Sequence, residues 1–209
     1  MKVILDWAEV WGPLIAILVY LIRKPKEKYL LPVIIYLWIA LCLDLLIDYL
    51  TAIKIHNLFL YNIHSICRLF LFILFFTRIN VFKIRGFTKA VVVAASLVIV
   101  IVFYFLDSFF DFSSKVFAFE SIILLIYCMI YFFTLLRSDE VSFDFDPALI
   151  IITGLAVYEA VCFFIFLFFD LLTDEVPGFA ANIWIIHNII YAIFCLFIAR
   201  AFYGRNKSS

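Results

Sequence analysis

Charge and glycine are scarce in this chain. Of 209 residues only 15% are charged, and Gly and Pro number five each. Soluble domains carry about 25% charged residues and roughly 45–50% apolar ones. Here 68% of residues are hydrophobic, and the mean hydropathy is +1.19. An aqueous core cannot hide that excess, so lipid must solvate much of the surface. The shortage of Gly and Pro argues against many broken helices. The formal net charge is zero, and no nucleic-acid partner is expected. No Gly-rich phosphate loop, nucleophile elbow or dinucleotide fingerprint is present. Cys42, Cys67, Cys128, Cys162 and Cys195 form no CxxC or Cys/His spacing, which excludes a disulfide frame and a zinc site. His64 and His187 stand singly, without HxxxH or HExxH, so no metal centre is expected. The start Met1-Lys2-Val3-Ile4-Leu5-Asp6 is too poor a signal peptide to be removed, and the first apolar segment is expected to persist.

What remains is a succession of apolar runs. A spanning helix needs about 20 mainly apolar residues, and seven segments qualify: Trp7–Ile22, Leu30–Ile53, Leu58–Phe76, Ala90–Leu106, Val116–Leu136, Ala148–Leu172 and Ala180–Phe202. The expected architecture is therefore all-α, one polytopic domain over residues 1–209 forming a seven-helix bundle. Lys and Arg set its orientation. Arg23, Lys24, Lys26, Lys28, Arg78, Lys83, Arg85, Lys89, Arg137, Arg200, Arg205 and Lys207 fall on one side; only Lys2, Lys54 and Lys115 fall on the other. The bias places the N-terminus outside and the C-terminus in the cytoplasm. The acidic run Asp139, Glu140, Asp144 and Asp146 lies on the basic side, and acids weigh little in this rule. Pro32 and Pro147 sit in first turns, where a missing N–H costs nothing.

Three spacings suggest a duplicated three-helix unit around a connecting fourth segment. Glu9 and Tyr20 echo Glu120 and Tyr131; Pro32 and Asp44 echo Pro147 and Glu159; Tyr61-Asn62-Ile63-His64 echoes Trp184-Ile185-Ile186-His187. This three-plus-one-plus-three topology is similar to that of SWEET-like sugar transporters and of microbial rhodopsins. The last segment has no lysine for a retinal Schiff base, so no retinal, and no other cofactor, is expected. The chain also has no Pro-Gln pair of the SWEET kind.

Ionisable groups inside spanning helices are costly, about 2.5–3.5 kcal/mol on insertion scales, and face the bundle interior. Asp44, Asp48, His64, Arg68, Glu120, Glu159 and His187 are such groups. At about 1.5 Å rise per residue they fill the outer half of the bundle and stop near its centre. Asp44 and Asp48, like His64 and Arg68, are four residues apart on one face. Trp184, His187, Asn188, Tyr191 and Cys195 form a stripe, as do Tyr158, Glu159 and Cys162. Asp44, Asp48, Glu120 and Glu159 face one arginine, an excess that protons or a bound cation must offset in a low dielectric. The candidate ligand- or ion-binding set is therefore Asp44, Asp48, His64, Arg68, Glu120, Glu159, His187, Asn188 and Tyr191, with no catalytic group assigned. The alternative is an Arg68–carboxylate pair that only fixes packing.

The stretches Asn57-Leu-Phe-Leu-Tyr-Asn-Ile-His64 and Trp184-Ile-Ile-His-Asn-Ile-Ile-Tyr191 resemble those of short multi-pass proteins of the Bacteroidota. The resemblance implies a bacterial cytoplasmic (inner) membrane and lends no function. Three functional readings follow. A binding or sensing module would receive a small ligand, lipid or ion from outside; having few residues after the last segment, it would need a membrane-protein partner or a second copy to signal. The others are a small solute or proton-coupled transporter and an intramembrane lipid-modifying enzyme, beside a structural subunit of a membrane complex. Membrane lipids are partners in all of them.

Overall fold

The computed structural model describes residues 7–79, 94, 96, 98, 100–102, 109–137, 146–169, 171, 173 and 179–204, the last stretch without the side chains of 179–181. Among these, every regular element is helical: α1 (Ala8–Arg23), a 3₁₀ turn (Lys28–Leu30) running into α2 (Leu31–Ala52), α3 (Leu58–Arg78), α4 (Ser114–Leu136), α5 (Pro147–Leu167) and α6 (Phe179–Phe202). Five stretches are long and apolar enough to cross a membrane: Lys28–Ala52, Leu58–Arg78, Ser114–Leu136, Pro147–Leu167 and Asn182–Phe202. With 16 residues, α1 is about 24 Å long, short of the roughly 30 Å of a bilayer's hydrocarbon core. Most of the segment expected at Ala90–Leu106 lies outside the described residues. Its described positions are helical, Val100 is buried in the core, and the Ser96 hydroxyl lies 3.5 Å from that of Tyr127. The acids Asp139, Glu140 and Asp144 also lie outside the described residues.

Local chemistry accounts for the helix boundaries. Pro32 and Pro147 occupy first turns. The Asp146 carboxylate accepts from the Ala148 N–H at 2.9 Å, capping α5, and the Ser113 hydroxyl accepts from Val116 N–H at the start of α4. Both satisfy donors that a helix start leaves open. Lys24 ends α1 in the left-handed conformation at φ 46°. The sixth segment, expected to run to Leu172, is interrupted: α5 ends at Leu167, Phe168 leaves helical geometry at ψ 5°, and the described positions 169, 171 and 173 are helical again.

The helices close a ring. Each of α1 to α5 packs on its successor, and α6 returns to α1. Paired contacts give the directions. The Arg23 guanidinium lies over the Tyr203 ring and Tyr20 meets Phe202, so α1 and α6 run parallel. Arg78 donates to the Lys28 carbonyl, Tyr131 donates to Asp146, and Phe117 meets Phe166, so α2–α3 and α4–α5 are antiparallel. One end of the bundle, here the lower end, thus collects Arg23, Lys24, Lys26, Lys28, Arg78, Arg137 and Arg200. The upper end has Lys54 and Lys115 among the described residues.

The interior differs from end to end. The lower half is solid hydrocarbon and aromatic packing, with Leu30, Leu37, Phe72, Phe75, Phe76 and Phe202 almost wholly buried. Tyr36 bridges inward to donate to the Tyr191 hydroxyl at 3.3 Å. Outward, Ile22, Leu136 and Phe164 are 76%, 76% and 61% exposed, a belt of apolar side chains that only lipid or another apolar surface can solvate. Glycine lets two pairs of helices approach closely. A Cβ on Gly154 would fall 2.5 Å from Phe197 Cβ, and one on Gly12 3.2 Å from Ala192 Cα.

Candidate functional site

Arg68 stands midway along α3 and is 3% exposed. Its Nη1 donates to the Tyr158 hydroxyl at 2.8 Å. Its Nη2 lies 3.7 Å from a Glu120 oxygen and its Nε 3.6 Å from Glu159, both carboxylates being fully buried. These two contacts are ion pairs just beyond hydrogen-bond length. The helical register explains the convergence. Glu120 and Glu159 lie about 9 and 12 Å from the upper ends of α4 and α5, and Arg68 about 15 Å from that of α3. Parallel packing of α3 on α4 and antiparallel packing of α4 on α5 bring the three to one level.

The cluster continues upward. Tyr158 Oη lies 3.1 Å from His187 Nε2, whose other ring nitrogen is 3.3 Å from the Asn188 amide oxygen. His64 Nδ1 lies 3.8 Å from Asp44 Oδ1. The His64 ring stacks on Tyr36 and meets Tyr191 edge-on. Above them Tyr61 and Trp184 pack at 89° with centroids 5.1 Å apart.

These groups line a partly open cavity of about 30 Å³. A water needs about 10–15 Å³ by the same measure, so the space suits two waters or a small ion and not a lipid chain. Its floor is Arg68, Tyr158 and Tyr191, and its sides are Asp44, His64, Ser65 and His187. Its mouth is Glu9, Tyr61, Phe117 and Trp184, all near the upper helix ends. Asp44 Oδ2, His64 Nε2, Ser65 Oγ and Arg68 Nη2 make no hydrogen bond to any described residue. Buried polar atoms in native proteins are nearly always bonded, to protein or to ordered water. The four residues that carry these atoms all line this one void.

Seven of the nine residues singled out from sequence are thus in mutual contact or on the cavity wall, directly or through one neighbour: Asp44, His64, Arg68, Glu120, Glu159, His187 and Tyr191. Asn188 is buried behind His187. Asp48, one turn above Asp44, is half-buried and does not line the cavity. Sequence reasoning left several residues of the site out of the set, among them the mouth residues Tyr61, Phe117 and Trp184. Tyr158 holds the only hydrogen bond made by Arg68 among the described residues, and its place on a stripe with Cys162 was the available signal. Tyr36 carried no signal, because one tyrosine in an apolar run reads as packing. Glu9 reads as an interfacial residue until α1 is placed against α2. Ser65 sits beside His64 in sequence and reaches the void with it.

Among the described residues, no three His, Cys, Asp or Glu side chains converge as metal ligands do. Compared with protein-family models, curated proteins and solved structures, the chain matches none. The likeness to short Bacteroidota membrane proteins is not confirmed by those comparisons.

Proposed function

We propose that this membrane protein binds a small polar ligand or ion in the buried cavity, entering from the upper end. The observation that carries the reading is the asymmetry of the interior. Asp44, His64, Ser65 and Arg68, each with a polar atom unbonded among the described residues, line one void, while the lower half is packed Phe and Leu. Ionisable groups kept inside a membrane at such cost point to a functional site, and a cavity closed at one end suits reception better than passage.

The same reading makes the chain a seven-span protein of the bacterial inner membrane. Its basic lower end is cytoplasmic and its upper end faces out, following the positive-inside bias. The ring order and the parallel α3–α4 and α6–α1 contacts support a duplicated unit in which α1–α3 correspond to α4–α6. In that scheme Tyr61 and Trp184 are counterparts that meet each other, and His64 and His187 face the same void. A receptor-like role would require a partner protein or a second copy to carry the signal, with lipid around the apolar belt. A small carrier is the second reading. Pro13, inside the continuous helix α1, leaves the Glu9 carbonyl without its usual helical donor beside the cavity, a weak point of the kind that transporter helices use.

Substituted-cysteine labelling tests the reading. The Ser65→Cys variant, in intact cells, should react from outside with silver ion, which is small enough to enter the cavity, above the level of the wild type's own cysteines. A folded Ser65→Cys variant whose introduced thiol stays unreactive would mean a dry, purely structural cluster.

A further inference from the structure

The carboxylates behind the cavity wall and those on it are balanced differently. On the α4–α5 side, Glu120 and Glu159 share Arg68 at 3.7 and 3.6 Å. On the α1–α2 side, Glu9 and Asp44 line the void itself, and among the described residues no Lys or Arg other than Arg68 stands on its wall. In the duplicated scheme His64 corresponds to His187, so Arg68, four residues on, corresponds to Tyr191. A neutral phenol therefore stands where the other half has its cation.

Three further facts converge on the α1–α2 side. Asp44 is 4% exposed, and its Oδ2 has no hydrogen-bond partner among the described residues. The nearest candidate counter-charge, His64 Nδ1, stays 3.8 Å from the other carboxylate oxygen. Pro13 has no N–H, so the Glu9 carbonyl loses its usual helical donor at the mouth of the cavity.

We propose that Glu9 and Asp44, with His64 beside them, form a binding site for a small monovalent cation of the alkali or ammonium kind. The proposal rests on the reading of the cavity as a ligand pocket. Hard carboxylate oxygens suit such cations, and a buried carboxylate without a partner is otherwise expensive. The faces of Tyr61 and Trp184 at the mouth favour positive over negative ligands. The cavity of about 30 Å³ excludes choline-sized ammonium ions.

The test uses the full-length protein purified in detergent, with thermal stability measured at constant ionic strength. Sodium, potassium, ammonium or methylammonium chloride is titrated against choline chloride. At a hundredfold excess over Kd, the preferred cation should raise the melting temperature by roughly 5–10 °C. An alkali ion and an ammonium ion are told apart by which salt saturates at the lower concentration. Asp44→Asn should abolish the shift. Glu9→Gln, at the half-buried mouth where folding is less at risk, should raise the apparent Kd about tenfold. Asp111→Asn, an exposed acid at the same end, should leave the shift unchanged. In parallel, the thiol introduced by Ser65→Cys should react with silver ion, which is small enough for the cavity, and the preferred cation at a hundredfold excess over its Kd should slow that reaction at least about tenfold. Silver labelling that no cation slows, with no cation-specific shift, would overturn the cation site and leave the ligand pocket standing. No silver labelling would overturn both. A shift that choline reproduces, or that Glu9→Gln leaves untouched, would also sink the site.

Discussion

Replacing Arg68 with Met isolates the electrostatic anchor of the bundle. Among the described residues the guanidinium makes one hydrogen bond, to Tyr158 at 2.8 Å, and two ion pairs at 3.6 and 3.7 Å to carboxylates with no exposure. Met matches much of the aliphatic stem, so little volume is lost and the change is mainly one of charge. Removing one partner of a buried ion pair costs about 3–5 kcal/mol, because the other charge stays behind in a poor solvent. For a chain of this size each kcal/mol moves the melting temperature by about 2–4 °C, which gives a loss of roughly 6–20 °C. The assay is fluorescence-detected size exclusion after heating, in one detergent for all variants. The triple variant Arg68→Met, Glu120→Gln, Glu159→Gln should recover most of the loss, since amides need no counter-charge. A drop below about 3 °C for Arg68→Met, or no recovery in the triple variant, would refute this account of the cluster.

Other expectations follow from single contacts. Tyr158→Phe removes the hydroxyl that links Arg68 to His187 and should cost about 1.5–3 kcal/mol, the range for a hydrogen bond to a charged group, read by the same melting assay. Gly154→Ala should destabilise by about 1–3 kcal/mol, as overpacking does, because its Cβ would meet Phe197 Cβ at 2.5 Å; Gly12→Ala, with neighbours at 3.2 Å, should cost less. If the two glycine variants melt alike, the α5–α6 contact is looser than described. Asn62→Ala deletes donations to the Phe109 and Asp111 carbonyls at 2.7 and 2.8 Å and should speed proteolysis just before α4, with a stability loss of about 1–3 kcal/mol. A green fluorescent protein fused after Ser209 should fluoresce, and alkaline phosphatase fused there should stay inactive. The opposite pair of results would reverse the membrane orientation.

Composition and periodicity alone carried the helical class. Apolar runs bounded by Pro32, Pro147 and the basic loops leave few alternatives to a polytopic bundle, and the described helix ends fall within a few residues of those expected everywhere but at Phe168. Charge within those runs also pointed inward on sequence grounds, because Arg68, Glu120 and Glu159 cannot face hydrocarbon cheaply. What sequence could not convey was which groups meet. Arg68 and Tyr158 are 90 residues apart, and only the ring order of the helices sets them at bonding distance. Tyr36 and Glu9 gained their roles the same way, through neighbours supplied by α6 and α2. Burial preference is a property of each residue and its periodic company, so it is written locally. Partnership, the void between partners and the imbalance of charge around it depend on helix packing, which belongs to the whole chain at once.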